Sequence, residues 1–241
     1  QPPKPIHVLQ LYPRDMNIYG DTGNVLVLQR RLERYGYEPI IHSYNVGDAF
    51  PDEIDIIVGG GGQDSGQSKI QSDLLRIGTR LKEHADEDTP MLMICGLYQL
   101  FGHFFETSNG ERINGIGILD IETYGKQERL IGNIHTQSDL FGDIIGYENH
   151  SGQTFLGKNA SPLAKVILGA GNNTEDAYEG AMYRNVIGSY LHGSLLPKNP
   201  AIADFLIKKA VAKRYGDFNE TNPLDDSISN LARAEAFKRP R

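Results

Sequence analysis

Two short apolar runs, Ile54–Val58 and Met91–Ile94, each stop abruptly at glycine-bearing turns, Gly59–Gly62 and Cys95-Gly96. Runs this short and this aliphatic fit strands covered on both faces better than buried helices. Such strands belong to parallel sheets, whose crossover connections demand helices between them. The flanking sequence supplies those helices. Ile6–Leu11 reads as a first strand, and Val25–Tyr35 as a first helix with Val25, Leu28 and Leu32 at helical spacing, ended by Gly36. Glu38–Tyr44 is a second strand, Ile70–Glu83 an amphipathic helix, and Leu97–Phe105 a helix leaving the Met91–Ile94 strand. The expected fold class is α/β, with a central, mostly parallel sheet flanked by helices.

The second half is less regular, with short β-like runs between glycine-rich turns: Gly117–Thr123, Leu130–Thr136, Ile144–Asn149, Ala164–Leu168 and Val186–Leu191. Pro200–Tyr215 is a helix with Ile202, Phe205, Leu206 and Ala210 on one face. No linker or composition break divides residues 1–216, which read as one domain. Residues 217–241 form a polar tail with an amphipathic stretch at Ser227–Phe237, expected to fray or to dock on a partner.

Composition excludes several classes. At 241 residues and 39% hydrophobic, the chain can bury a full core. A net charge of -7 argues against nucleic acid as a partner. No apolar run approaches the length of a membrane span. Gln1–Pro5 lacks the apolar segment of a signal peptide, so a soluble cytoplasmic protein is expected. One cysteine excludes an intrachain disulfide and a cysteine-based metal site, and no metal site is expected.

That cysteine, Cys95, stands where a buried strand turns into a helix, with Gly96 behind it. A sharp strand–helix turn exposes the side chain as a nucleophile, and the glycine lets substrate and backbone approach. The helix N-terminus favours a thiolate, and the Gly96 N–H can donate to an oxyanion. A cysteine that merely ends a core strand is the alternative. A cysteine nucleophile needs a base. Of seven histidines, His150 (in Tyr147–Gly152) and His192 (in Ser189–Gly193) occupy Gly-flanked turns after expected strands. His192 closes an apolar strand as Cys95 does and is the preferred base, with His150 close behind. Gly59–Gly62 fits neither a dinucleotide fingerprint nor a P-loop. The bare backbone donors of an oxyanion hole suit it better, and a merely permissive loop is the alternative.

Together these residues resemble the class I, triad-type glutamine amidotransferases, in the strand–Cys–Gly elbow, the preceding glycine loop and the distant strand-end histidine. Gly146-Tyr-Glu-Asn-His150-Ser-Gly152 is similar to a segment of the cobyric acid synthase branch. The opening Leu11–Asn24 segment, Tyr190–Gly193 and Leu196–Asn199 resemble the glutaminase subunits of lipid II isoglutaminyl synthases. The likeness runs from about Leu9 to about Leu206.

The resemblance implies a flavodoxin-like amidotransferase domain that hydrolyses L-glutamine to glutamate and ammonia. Cys95 would carry the thioester and His192 the proton, with Gly60, Gly61 and Gly96 at the oxyanion. Arg129 matches a family arginine associated with glutamine binding, where a guanidinium suits an α-carboxylate. The ammonia would pass, within a heterodimer, to a Mur-ligase-like partner (MurT). That partner would use ATP and magnesium to amidate D-glutamate of lipid II, and this chain would need no cofactor. Asp21, in the matched first loop, reads as a turn residue. Two departures stand out. Ser194 replaces the glutamate usual two residues after the histidine, which leaves the group orienting His192 open, with Glu148 a candidate stand-in. Leu97 replaces a second glycine after the cysteine. The rival readings are a glutaminase of another amidotransferase complex and an inactive binding subunit of the same fold.

Overall fold

A computed structural model describes residues 2–17, 22–62, 64–218 and 224–241; Asp21 lies outside the described residues. β1 (Lys4–Leu11), α1 (Thr22–Arg34), β2 (Tyr37–Tyr44), β3 (Ile56–Gly59), α2 (Asp64–Asp86), β4 (Met91–Ile94) and α3 (Gly96–Leu100) come first. The chain then builds β5 (Phe104–Glu106), β6 (Arg112–Asn114), β7 (Ile121–Ser138), β8 (Gly142–Leu156), β9 (Ala164–Leu168) and β10 (Tyr178–Glu179). It returns through β11 (Ala181–Tyr183) and β12 (Val186–Ser189) to α4 (Leu195–Lys198), α5 (Pro200–Tyr215) and α6 (Ser227–Phe237).

The main sheet has the order β11-β12-β4-β3-β1-β2 and is parallel except for β11. β3, β4 and β12 are buried along their whole length, as strands with both faces covered must be. From β1 to β2 and from β3 to β4 the chain steps in opposite directions, so right-handed crossovers put α1 and α2 on opposite faces. The reversal opens a crevice at the carboxyl ends of the strands, where α/β sheets bind ligands. Register aligns Gly59 with Met93 and Ser189 with Ile94, so three strand ends finish level beside Cys95.

A second sheet, β10-β9-β7-β5-β6 with β8 paired along β7, is inserted between α3 and β11. Here the structure departs from the sequence expectations. The helix expected over Leu97–Phe105 ends at Leu100, and Phe104–Glu106 is a strand between β6 and β7. The reason is steric: a Cβ on Gly102 would lie 2.4 Å from Ile121 Cγ1, so this backbone abuts β7 rather than extending a helix. The runs Gly117–Thr123 and Leu130–Thr136 contribute to one 18-residue strand, β7. The Ile144–Asn149 run lies inside the 15-residue β8. A register shift between Gly125 and Leu130 interrupts the pairing there, and the polar bulge hides the continuity of the strand in the sequence.

The C-terminal segment lies along this hairpin of its own chain. Arg233 donates to the Asp143 carbonyl at 2.6 Å, Phe237 meets the His135 ring at 4.5 Å, and Asn133 Nδ2 donates to the Pro240 carbonyl at 2.8 Å. Arg31 of α1 ties Asp204 of α5 to Asp226 at the start of α6. The apolar Ile228 and Leu231 of α6 face outward, 82% and 67% exposed. Among the described residues no helix is long and apolar enough to cross a membrane.

Candidate active site

Cys95 sits at the β4–α3 corner with φ 50° and ψ -109°. A non-glycine residue in that region is strained, and such strain persists only where the surroundings hold it. The Cys95 N–H donates to the Ser189 carbonyl of β12 at 2.9 Å, and its thiol donates to the Tyr190 carbonyl at 3.5 Å. Gly96 is a steric requirement, because a Cβ there would lie 2.6 Å from Met16 Cε and 3.2 Å from the Gly62 nitrogen. The glycine loop therefore runs directly against the elbow. Leu97, the departure from a second glycine, donates its N–H to the Gly60 carbonyl at 3.3 Å. Its side chain fills the space over Gly59, where a Cβ would come within 2.3 Å of Leu97 Cδ1.

His192 follows β12 and is held from the second sheet. Its backbone pairs with Tyr147 of β8 in an antiparallel bridge, with His192 N–H to Tyr147 carbonyl at 2.9 Å. Gly146 permits this, since its Cβ would stand 3.0 Å from the Leu191 Cβ. Gly193 and Ser194, both with positive φ, then turn the chain into α4. The Ser194 hydroxyl lies over Gly23 of α1, where a Cβ would come 2.2 Å from Ser194 Oγ. The His192 pKa is pushed down to about 4, first by burial and then by the charge of His150, with Lys198 adding and Glu148 opposing. At neutral pH the imidazole is uncharged, the form a general base requires.

His150, the alternative base, is otherwise engaged. It lies inside β8 rather than in a turn. Its Nδ1 faces the Gly152 carbonyl at 2.8 Å and its Nε2 the Glu148 carboxylate at 3.2 Å. Both partners are acceptors, so both ring nitrogens donate and neither can take a proton. Glu148 is fully buried and also receives the N–H groups of Ala170 and Gly171, each at 2.9 Å, and the Arg241 guanidinium at 2.5 Å. Burial would raise its pKa, but the hydrogen bonds from His150, Ala170 and Arg241 prevail and hold it below the ordinary carboxylate value.

Tyr190 links these parts, although in the sequence it stood out only as the start of the Tyr190–Gly193 segment, with no role of its own. Its ring stacks on His150 at 3.7 Å with planes 8° apart. Its hydroxyl meets Gln99 Nε2 at 3.0 Å and Thr154 Oγ1 at 2.6 Å, and Gln99 in turn accepts from Gln67 at 2.7 Å. Its N–H donates to Glu179 at 2.7 Å, a carboxyl whose pKa burial pushes up to about 8. Gln99 carried a usable signal, four residues after Cys95 on the emerging helix; Glu179 carried none. The structure thus gathers Cys95, Gly96, the glycine loop and His192 at one sheet edge. Arg129 comes from the second sheet: it is exposed on the β7 bulge, its Nε bonded to Asn149 Oδ1 at 3.0 Å, next to the Leu130–His150 pair.

A cysteine elbow at the carboxyl edge of a doubly wound sheet, with a histidine following the neighbouring strand, is an arrangement suited to cysteine-dependent acyl transfer. The chain matches the CobB/CobQ-like glutamine amidotransferase domain over residues 7–200 and belongs to that family. It is 39% identical to the lipid II isoglutaminyl synthase (glutamine-hydrolyzing) subunit GatD of Staphylococcus aureus, covering 95% of this chain and 94% of that one. It is 36% identical to the subunit of the same name from Streptococcus pneumoniae, covering 94% and 88%. A solved glutamine amidotransferase shares the fold with a TM-score of 0.58 at 13% identity, covering 84% of this chain and 98% of the neighbour. One from Thermotoga maritima does so with a TM-score of 0.54 at 15% identity, covering 96% and 90%.

Proposed function

We propose that this chain is the glutaminase subunit of a lipid II isoglutaminyl synthase, working through Cys95 and His192. The observation that carries this reading is the strained Cys95 corner, backed by the Gly60–Gly62 loop and level with the strand that delivers His192. Near-full-length similarity to two subunits of that name supports the choice of complex.

In the proposed cycle, neutral His192 takes the Cys95 proton and the thiolate sulfur attacks the glutamine carboxamide carbon. Backbone N–H groups of Gly96 and of Gly60 or Gly61 receive the oxyanion. His192 returns the proton to the departing nitrogen, the C–N bond breaks, and ammonia leaves a γ-glutamyl thioester on Cys95. Water, deprotonated by His192, attacks the thioester, and glutamate and the free thiol are restored. Arg129 is proposed for the substrate α-carboxylate, which places glutamine toward the β7–β8 hairpin. Ammonia goes to a Mur-ligase-like subunit (MurT), where ATP and magnesium activate D-glutamate of lipid II on the cytoplasmic side.

The test is ammonia release from L-glutamine by the purified chain, alone and with its co-expressed ligase partner. Cys95→Ala is expected to abolish release while retaining the fold and the partner. Release persisting in that variant would remove Cys95 as the nucleophile. No release from the wild-type complex would favour the binding-subunit reading.

A further inference from the structure

Glu148 and His150 form a buried ion pair that this cycle does not use. The His150 side chain is 4% exposed and that of Glu148 is 0% exposed. Four donors converge on the carboxylate: His150, Ala170, Gly171 and Arg241. It is therefore held ionised, and His150, which also faces the Gly152 carbonyl, carries a proton on each nitrogen. A buried ion pair is expensive to desolvate, and an apolar pair of similar volume would fill the space at less cost. The charge itself therefore calls for an account.

That cation lies flat on the Tyr190 ring, a favourable arrangement for a positive charge over an aromatic face. Tyr190 is the residue whose carbonyl receives the Cys95 thiol. The same cation opposes protonation of His192. The groups facing this corner are His150 and Glu148 from β8, Lys198 from α4, Arg241 behind Glu148, and the buried Glu179 of β10 on the Tyr190 N–H.

Building on the Cys95–His192 reading, we propose that Glu148 and His150 are positioning residues. Their fixed imidazolium holds the Tyr190 ring in place beside the nucleophile, and its positive charge favours the Cys95 thiolate.

Cys95 is the sole cysteine, so iodoacetamide alkylation of the full chain across pH 5–10 reports its thiolate alone. In His150→Gln the rate at pH 7 is expected to fall about tenfold, with the alkylation midpoint raised by about one pH unit. Glu148→Gln keeps the shape, removes the counter-charge and should move the midpoint the same way. The double variant should shift no further than either single one, because the residues act as a unit. A lower melting temperature with an unmoved midpoint in these variants would reduce the pair to a structural element and overturn the proposal.

The wild-type chain supplies a check that needs no variant. With ¹⁵N-labelled histidine, one ring of the folded chain should carry a proton on both nitrogens while another, His192, is neutral. Absence of the doubly protonated ring would overturn the proposal. An unmoved midpoint with inactive Cys95→Ala would reject the pair and keep the nucleophile. A raised midpoint with active Cys95→Ala would do the reverse.

Discussion

Glu148 and Glu179 are both 0% exposed and both lie within one residue contact of Tyr190 or its stacking partner, yet their pKa values move in opposite directions. Glu179 receives only uncharged donors, the Tyr190 N–H and the Ser189 hydroxyl among them, and its pKa rises to about 8. Glu148 receives the charged groups of His150 and Arg241 as well as backbone N–H groups, and its pKa falls. Burial penalises both carboxylates alike; the partners decide which one ionises. The two regions also differ in task. Glu179 braces the backbone at the end of β12, whereas Glu148 holds the His150 ring against Tyr190.

The largest way to break this contrast is Glu148→Ala. It leaves the buried His150 beside an empty site and removes the partner of Arg241, and stability at pH 7 should fall by about 3–5 kcal/mol in denaturant melts. An unchanged melt would mean that His150 is neutral and that the two glutamates do not differ in charge.

Glu179→Gln should sharpen the contrast through pH. A carboxyl raised from 4.5 to about 8 contributes stability that is complete below pH 4.5 and is lost as pH rises through 8. The amide cannot ionise, so the variant should match the wild type near pH 5 and exceed it by about 3 kcal/mol at pH 9. Parallel stability curves for the two chains would show that Glu179 does not titrate there. The smallest effect belongs to Arg241→Ala. Glu148 keeps His150 and two N–H groups, and Arg241 is partly solvated, so a loss of about 1 kcal/mol is expected, smaller still in high salt.

Local pattern made the elbow legible. A four-residue apolar strand, a cysteine, a glycine and a helix start are neighbours in sequence, and their chemistry follows from adjacency. The strands β1 to β4 and the helices α1, α2 and α5 were readable for the same reason, because burial on a regular element leaves a periodic trace. β5 was not, because what ends the preceding helix is Ile121, 19 positions beyond Gly102. The long hairpin was not, because its bulge is polar and its partners are far apart. Ser194 could be seen as a substitution, but its packing over Gly23 of α1 could not.

The sequence by itself determined the parallel sheet, the cysteine corner with its glycine loop, and a histidine following a strand, since each depends on residues within a few positions of one another. Only the tertiary structure showed that both His150 ring nitrogens face acceptors within β8, and only it set the partners that move Glu148 and Glu179 in opposite directions. A histidine's role and a buried carboxyl's ionisation are set by whichever donors and acceptors the fold brings to it, here from β8, the Ala170–Gly171 loop and Arg241.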